Sequence, residues 1–312
     1  MYRPIVGVRE TQLNGAAMAG DTRRAVLRAG VAGVLRVAAL AAVLALPGVA
    51  RAQAPPPAPS APAAVVGLPL EGAPAEEFLR AARVVDRARI GGGLTRPERL
   101  TLTDGTRTLR AIWKTIDEHR MGLRQLEGGA EFDFRDSWRH EVAAYELDKL
   151  LGLGLVPPTV ERRIDGRDGS LQIWVEGAMT EDERRKRGLA APDVEAWNAQ
   201  MHRVRLLHQI TGNTTYRNPA NVLADRAFRI YAVDSSRAFR IRTDLLEPKD
   251  LVRFSRATLE KLTALDRPAL DARLGRWLEK SQIASLLARR DRILALAKQR
   301  VAEMGEDAVL YP

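Results

Sequence analysis

In residues 212–239, GNTTYRNPANVLADRAFRIYAVDSSRAF, two side chains able to hold a cation stand 13 positions apart: the amide of Asn221 and the carboxylate of Asp234. Both offer hard oxygen donors, the kind magnesium takes. The residues between them pattern as a short hairpin. The run Ile230, Ala232, Val233 leads apolar side chains up to Asp234, whose carboxylate would then emerge at a strand end. Plainer readings exist, a turn residue after Asn-Pro-Ala for Asn221 and a strand-end cap for Asp234, but the hairpin-bridged spacing favours a site. A second pair is Lys114, closing the strand-like run LRAIWK, and Glu141, in the helix-like run WRHEVAAYELDKLLGLG. Taken alone, that pair reads as a surface ion pair, which is worth little.

Other chemistries find no footing. The chain has no cysteine, which removes disulfides, thiolate metal sites and thiol nucleophiles. Its four histidines, His119, His140, His202 and His208, form no HExxH pattern, and no serine sits in a GxSxG setting. The net charge of +10 suggests nucleic acid at first sight, but residues 1–52 carry seven arginines against Glu10 and Asp21, half of the excess. The runs EDERRKR (Glu181 to Arg187) and ARRDR (Ala288 to Arg292) read as solvated faces. With 5% aromatic residues there is little to stack bases, so no nucleic-acid partner is expected.

The N-terminus carries an address. TRRAVLR (Thr22 to Arg28) precedes the apolar stretch Ala29 to Leu46, then Pro47 and Gly48, then the small-x-small site Ala50-Arg51-Ala52. That order is the order of an export signal peptide, expected over residues 1–52. The adjacent Arg23 and Arg24 resemble a twin-arginine signal, which implies export in the folded state to the periplasm or another extracytoplasmic space. The apolar run is shorter than the ~20 residues a span needs and is broken by Arg36, so no stable membrane span is expected after cleavage. Residues 53–72, with APPPAPSAPAA, have the composition of an extended linker. Residues 73–89 show Phe78, Leu79, Ala82 and Val85 at helical spacing and are expected to form a cover helix.

Strands and then helices must position the candidate residues. Ile90 to Asp117 contains two alternating apolar runs around the turn TDGT, a hairpin signal. Trp138 to Gly154 patterns as an amphipathic helix stopped by Gly152 and Gly154. Val156 to Met179 patterns as another hairpin, ending in LQIWVEG. Glu195 to Thr211 and most of residues 256–304 pattern as helices.

Hairpin, lysine, helix with glutamate, hairpin, helices, asparagine loop, hairpin and aspartate follow one another as in a bilobal kinase. On LRAIWK, HEVAAYELDKLLGLGLVPPTV, NPANVL and IYAVDSSRAF the chain resembles the protein-kinase-like superfamily, in its bacterial HipA-like and phosphatidylinositol 3/4-kinase-like branch. The resemblance implies an α+β, bilobal protein-kinase-like fold, with a β-rich N-lobe over residues 90–180 and a helical C-lobe over residues 181–312. It implies that Lys114 contacts nucleotide phosphates and is oriented by Glu141, that Trp174 and Glu176 line the nucleotide, and that Asn221 and Asp234 hold magnesium or manganese with ATP.

One part is missing. Active members of the family carry a turn resembling NTDRNxxN, whose aspartate orients or deprotonates the acceptor hydroxyl. Here the turn reads NTTYRNPAN, with Tyr216 at that place, or Thr215 in the alternative alignment. Neither is a base at neutral pH, tyrosine having a reference pKa near ~10. The expectation is therefore an exported pseudokinase that binds a nucleotide, a metal or a protein partner. The alternatives are an atypical ATP-dependent phosphotransferase with another base, or a structural envelope protein with an empty cleft.

Overall fold

The computed structural model describes residues 67–91, 97–126, 129–215 and 217–312, all within the unit Ser60–Pro312. The export signal, most of the linker, the glycine pair Gly92 and Gly93, and Tyr216 lie outside the described residues.

The cover helix is half of what its periodicity predicts. Helix α1 spans Gly72–Ala81 and buries Phe78 and Leu79, but Arg83–Arg89 form strand β1 instead of continuing the helix. Val84 and Val85 are β-branched and fit a pleated edge better than a helix. β1 pairs antiparallel with β2 (Glu98–Thr103), giving that segment the backbone partners it would otherwise find within a helix. β3 (Thr108–Lys114) follows the TDGT turn. Next comes a hairpin the apolar pattern does not disclose, β4 (Asp117–Leu126) and β5 (Gly129–Ser137), which among the described residues form a two-stranded sheet of their own. Helix α2 (Trp138–Leu151) is capped by the Ser137 hydroxyl, which accepts from Arg139 N–H, and stops at Gly152 in the left-handed conformation. β6 (Thr159–Ile164) and β7 (Arg167–Ile173) complete an all-antiparallel sheet of order β1-β2-β3-β7-β6.

The remainder is mainly helical. Strand β8 (Met179–Thr180) and helix α3 (Glu181–Lys186) lead to α4 (Val194–Thr211), which delivers the chain to the asparagine turn. β9 (Val222–Ala224) and β10 (Ile230–Ala232) form the expected hairpin, with β8 beside β9. After β11 (Phe254–Ser255) come α5 (Arg256–Ala264), α6 (Arg267–Leu274), α7 (Lys280–Met304), α8 (Glu306–Val309) and β12 (Leu310–Tyr311), which pairs with β11.

Two apolar cores result. Phe78 and Leu79 of α1 pack on Leu100, Leu102, Trp113, Leu171 and Ile173 of the sheet. The larger core joins Leu206, Leu207 and Ile210 of α4 with Ile230, Phe239, Ile283, Leu286 and Ile293, and it includes Leu147 and Leu151 of α2. Helix α2 is thus rooted in the helical part while its first turn reaches the sheet, so it fixes the distance between the two. Removing a buried leucine such as Leu147 would cost about 2–5 kcal/mol. No helix among the described residues is long and apolar enough to cross a membrane.

Candidate active site

Alternation on β3 turns Trp113 into the sheet core, and Lys114 therefore points to the opposite face. Its ammonium donates to Glu141 Oε1 at 2.5 Å and to Asp234 Oδ1 at 2.6 Å. Lys114 is 6% and Glu141 3% exposed, so this is no surface pair. Burial alone would push the Lys114 ammonium toward neutrality, but the two carboxylates outweigh it and hold its pKa well above the usual lysine value. Glu141 lies in the first turn of α2, and its Oε2 accepts the backbone N–H of Ser235 at 3.0 Å. One glutamate therefore ties the lysine to the segment that carries Asp234. Burial would raise the Asp234 carboxyl as well, yet Lys114 and the Ser236 hydroxyl keep its pKa below the usual aspartate range. Asp234 stands at φ 61°, a left-handed conformation that a short polar residue tolerates and that recurs at functional sites.

The hairpin β9–β10 closes the 13-residue interval between the two candidate metal ligands. Val233 N–H donates to the Asn221 carbonyl at 2.9 Å, which sets Asp234 beside the end of the turn. From the start of the turn, Asn213 Nδ2 reaches the Asp234 carbonyl at 3.5 Å. Within the turn Thr215 is the knot: its hydroxyl donates to Asn213 Oδ1 at 2.9 Å and accepts from Asn221 Nδ2 at 3.1 Å. Asn218 Nδ2 donates to Asn221 Oδ1 at 3.2 Å. Residues 213–221 contain no aspartate or glutamate.

The fold brings Lys114, Glu141, Asn221, Asp234 and Thr215 together. A divalent cation fits the donor set at Asn221 and Asp234. Both Lys114 and Ser236 bond the same oxygen of Asp234, Oδ1, and no described residue bonds Oδ2. Such an ion would neutralise phosphate charge, with phosphates and water filling its remaining positions. Among the described residues no three acids or histidines already stand as a metal cage.

Glu176, expected to line the nucleotide, is engaged within the protein. Its carboxylate is paired with Arg110, and its backbone N–H and C=O are both taken by Gly67, at 2.8 and 2.7 Å. Trp174 is half-buried beneath the Arg110 guanidinium, 5.5 Å from its ring centre. The β2–β3 turn is no phosphate cradle either: Asp104 Oδ1 accepts the N–H groups of Thr106 and Arg107, the donors a phosphate would need.

Sequence reasoning missed three supports. In ARRDR, read as a solvated face, Arg289 is 0% exposed and donates to the carbonyls of Ile210, Arg240 and Arg242. It clamps the end of α4 to the segment after Asp234. Gly212 suits that place twice over: it stands at φ 59°, the left-handed conformation glycine takes without strain, and a Cβ would come within a tight 3.1 Å of the guanidinium carbon. Ser236 binds both neighbouring elements through its backbone carbonyl, accepting from Ser137 N–H at 3.0 Å and bonding His140 Nδ1 at 2.8 Å. Asp136, on β5, is buried beside this cluster. Arg289 falls on the buried stripe of α7, with Leu286 and Ile293, where its charge hides what the spacing marks; Ser236 sits in a polar, aperiodic stretch, and the alternating charges of Asp136's own stretch predict exposure.

A two-part fold with a buried lysine, a helical glutamate and an aspartate converging from three elements is a protein-kinase-like architecture. No protein-family model and no curated protein sequence matches the chain. Solved structures do. Hydra Fam20, determined with a sugar, superposes with a TM-score of 0.56 at 12% identity, covering 75% of this chain and 90% of that one. The Golgi casein kinase gives 0.56 at 12% identity over 76% of each chain. The Helicobacter pylori proinflammatory kinase CtkA gives 0.48 at 11% identity, over 72% of this chain and 98% of that one. At these identities the likeness is one of fold.

Proposed function

We propose that the protein is an exported kinase-fold protein that binds a nucleotide together with magnesium or manganese and does not turn it over. One observation carries this reading: a buried Lys114 bonded at once to Glu141 and Asp234, facing a turn whose nine residues include no carboxylate. The first half is equipment for phosphate charge, and the second lacks the group that takes the acceptor proton. Phosphoryl transfer rests chiefly on positioning and electrostatics, while a positioned base adds roughly 10² to 10⁴-fold, so its loss cripples turnover and spares binding. The kinase-like fold shared with Fam20 and the Golgi casein kinase supports the nucleotide part.

Thermal-shift titration of the purified protein with ATP, with and without Mg²⁺ or Mn²⁺, tests binding. A metal-dependent rise in melting temperature is expected, and phosphate transfer in the same samples is expected to be negligible. Transfer at about 1 per second, an ordinary kinase rate, would show instead an active enzyme with another base. An unmoved melting temperature would leave the structural reading. Export is tested separately: changing Arg23 and Arg24 together to lysine is expected to hold the precursor in the cytoplasm, and normal export of that variant excludes the twin-arginine route.

A further inference from the structure

Asp136 is the last residue but one of strand β5, just before the capping Ser137, where the kinase-like order of residues predicts no acid. Its side chain is 2% exposed, and its Oδ1 has no hydrogen-bond partner. Buried polar atoms are paired in the great majority of cases, and buried charges are paired or bound to metal. The surroundings do not supply what is missing. The Ser236 hydroxyl lies within reach of Asp136 and also 3.3 Å from Asp234 Oδ1. A hydroxyl has one proton and serves one carboxylate at a time. The Lys114 ammonium is already committed to Glu141 and Asp234. Arg237, whose charge also reaches Asp136, is bonded to Glu131. Glu141 and Asp234 thus take the one ammonium, whose charge reaches Asp136 only from a distance, and Asp136 Oδ1 is left unpartnered.

We propose that Asp136 is a ligand of the divalent cation, sharing it with Asp234 on either side of the Ser236 hydroxyl. This rests on the nucleotide-and-metal reading of the same cleft. A magnesium or manganese ion held with a nucleotide takes one or two carboxylates and completes its shell with phosphate oxygens and water. Two acids are therefore enough. The two ligands are mechanically joined. Ser137 N–H donates to the Ser236 carbonyl at 3.0 Å, and Ser235 N–H donates to Glu141, so the end of β5, the start of α2 and the segment after Asp234 hold one another in place.

The test is titration of the purified full-length chain with Mn²⁺, alone and with ADP, followed through the electron paramagnetic resonance signal of free Mn²⁺. Wild type is expected to bind, and Asp136→Asn to weaken binding by about tenfold or more. The unliganded melting temperature of Asp136→Asn is expected to hold or rise, because a charge without a partner has been removed. Anomalous diffraction from wild-type crystals soaked in Mn²⁺ and ADP needs no variant, and is expected to place the ion about 2.0–2.5 Å from Asp136 Oδ1. Equal affinity in Asp136→Asn, or an ion out of contact with Asp136, overturns the proposal and leaves metal binding at Asp234 standing. A lower unliganded melting temperature with unchanged affinity overturns it as well, assigning Asp136 to packing. Absence of manganese binding by wild type overturns it together with the metal reading on which it rests.

Discussion

At the lysine end of the cleft, one ammonium and two carboxylates touch in a buried setting. At the turn end, Asn213, Thr215, Asn218 and Asn221 are joined by neutral hydrogen bonds. Both ends are ordered, and both are tied to the segment around Asp234. They differ in what a change would do. Charge buried against charge is costly to unbalance, whereas an amide-hydroxyl network loses one modest bond at a time. The lysine end is therefore locked, and the turn end is neutral and open to alteration.

The largest effect expected is a gain at the turn. If the two ends differ only by one carboxylate, Tyr216→Asp should raise phosphate transfer over wild type, up to the ~10² to 10⁴-fold a positioned base supplies. Thr215→Asp should not. The Thr215 hydroxyl donates to Asn213 Oδ1, and a carboxylate there would set acceptor against acceptor. Activity in Thr215→Asp and none in Tyr216→Asp, measured with radiolabelled ATP, would reverse the alignment of the turn. Gain in neither, with nucleotide still bound, would mean that the ends differ by more than a base.

That contrast was partly legible in the chain. Lys114, Glu141, Asn221 and Asp234 stand in kinase order, and each falls at a place that periodicity marks, a strand end, a first helical turn or a hairpin end. Strand β1 was not legible, because Phe78, Leu79, Ala82 and Val85 keep helical spacing across the break at Ala82 and only tertiary pairing with β2 decides the matter. The β4–β5 hairpin was hidden for another reason. Its pairs are Glu118 with Asp136 and Arg124 with Glu131, and Leu123 and Phe132 are exposed, so its alternation runs against the apolar-in, polar-out rule that marks a strand. Arg289 was misread because charge predicts exposure until carbonyls are found converging on it.

At the lysine end, Lys114→Met is expected to cost about 3–5 kcal/mol of unliganded stability, since Glu141 and Asp234 would be left without their cation. Asp234→Ala leaves a one-to-one pair between Lys114 and Glu141, so its unliganded stability should change little while metal-dependent nucleotide stabilisation disappears. Denaturant melts of both variants check this. A large unliganded loss in Asp234→Ala would support the strand-cap reading of Asp234.

Acid probes both ends together. His140 on α2 touches the Ser236 carbonyl, and His208 on α4 lies one turn before Asn213; burial lowers both from 6.5 to about 4. A histidine with a depressed folded pKa stabilises above its unfolded value, so this contribution is intact above pH 6.5 and lost progressively as pH falls toward 4, up to about 3 kcal/mol for each. Asp148, raised to about 6 by burial, runs the opposite way between 3.8 and 6 and offsets part of the loss. His140→Gln and His208→Gln, melted from pH 7 to pH 4, should each flatten the profile. A flattening only for His140 would place the acid sensitivity at the lysine end.

The smallest effect expected is at the knot of the turn. Thr215→Val keeps the shape of the side chain but removes the hydroxyl that receives Asn221 Nδ2 at 3.1 Å and donates to Asn213 Oδ1 at 2.9 Å. Both asparagines are buried, Asn213 at 2% and Asn221 at 7% exposure, so their polar atoms would be left partly unpaired. Asn213 Oδ1 keeps the Thr215 N–H, so the main cost is the unpaired Asn221 Nδ2, about 1–3 kcal/mol, below the about 3–5 kcal/mol expected for Lys114→Met. Thr215→Ser keeps the hydroxyl and should lose less, roughly the worth of a half-buried methyl, below the ~0.8 kcal/mol of a fully buried CH₂. Urea melts of the three variants decide the comparison. If Thr215→Val costs as much as Lys114→Met, the turn is as firmly locked as the lysine end, and Tyr216→Asp would be acting on a rigid frame. If it costs about 1–3 kcal/mol or less, the turn can adjust, and nucleotide binding should survive Thr215→Val while failing in Lys114→Met.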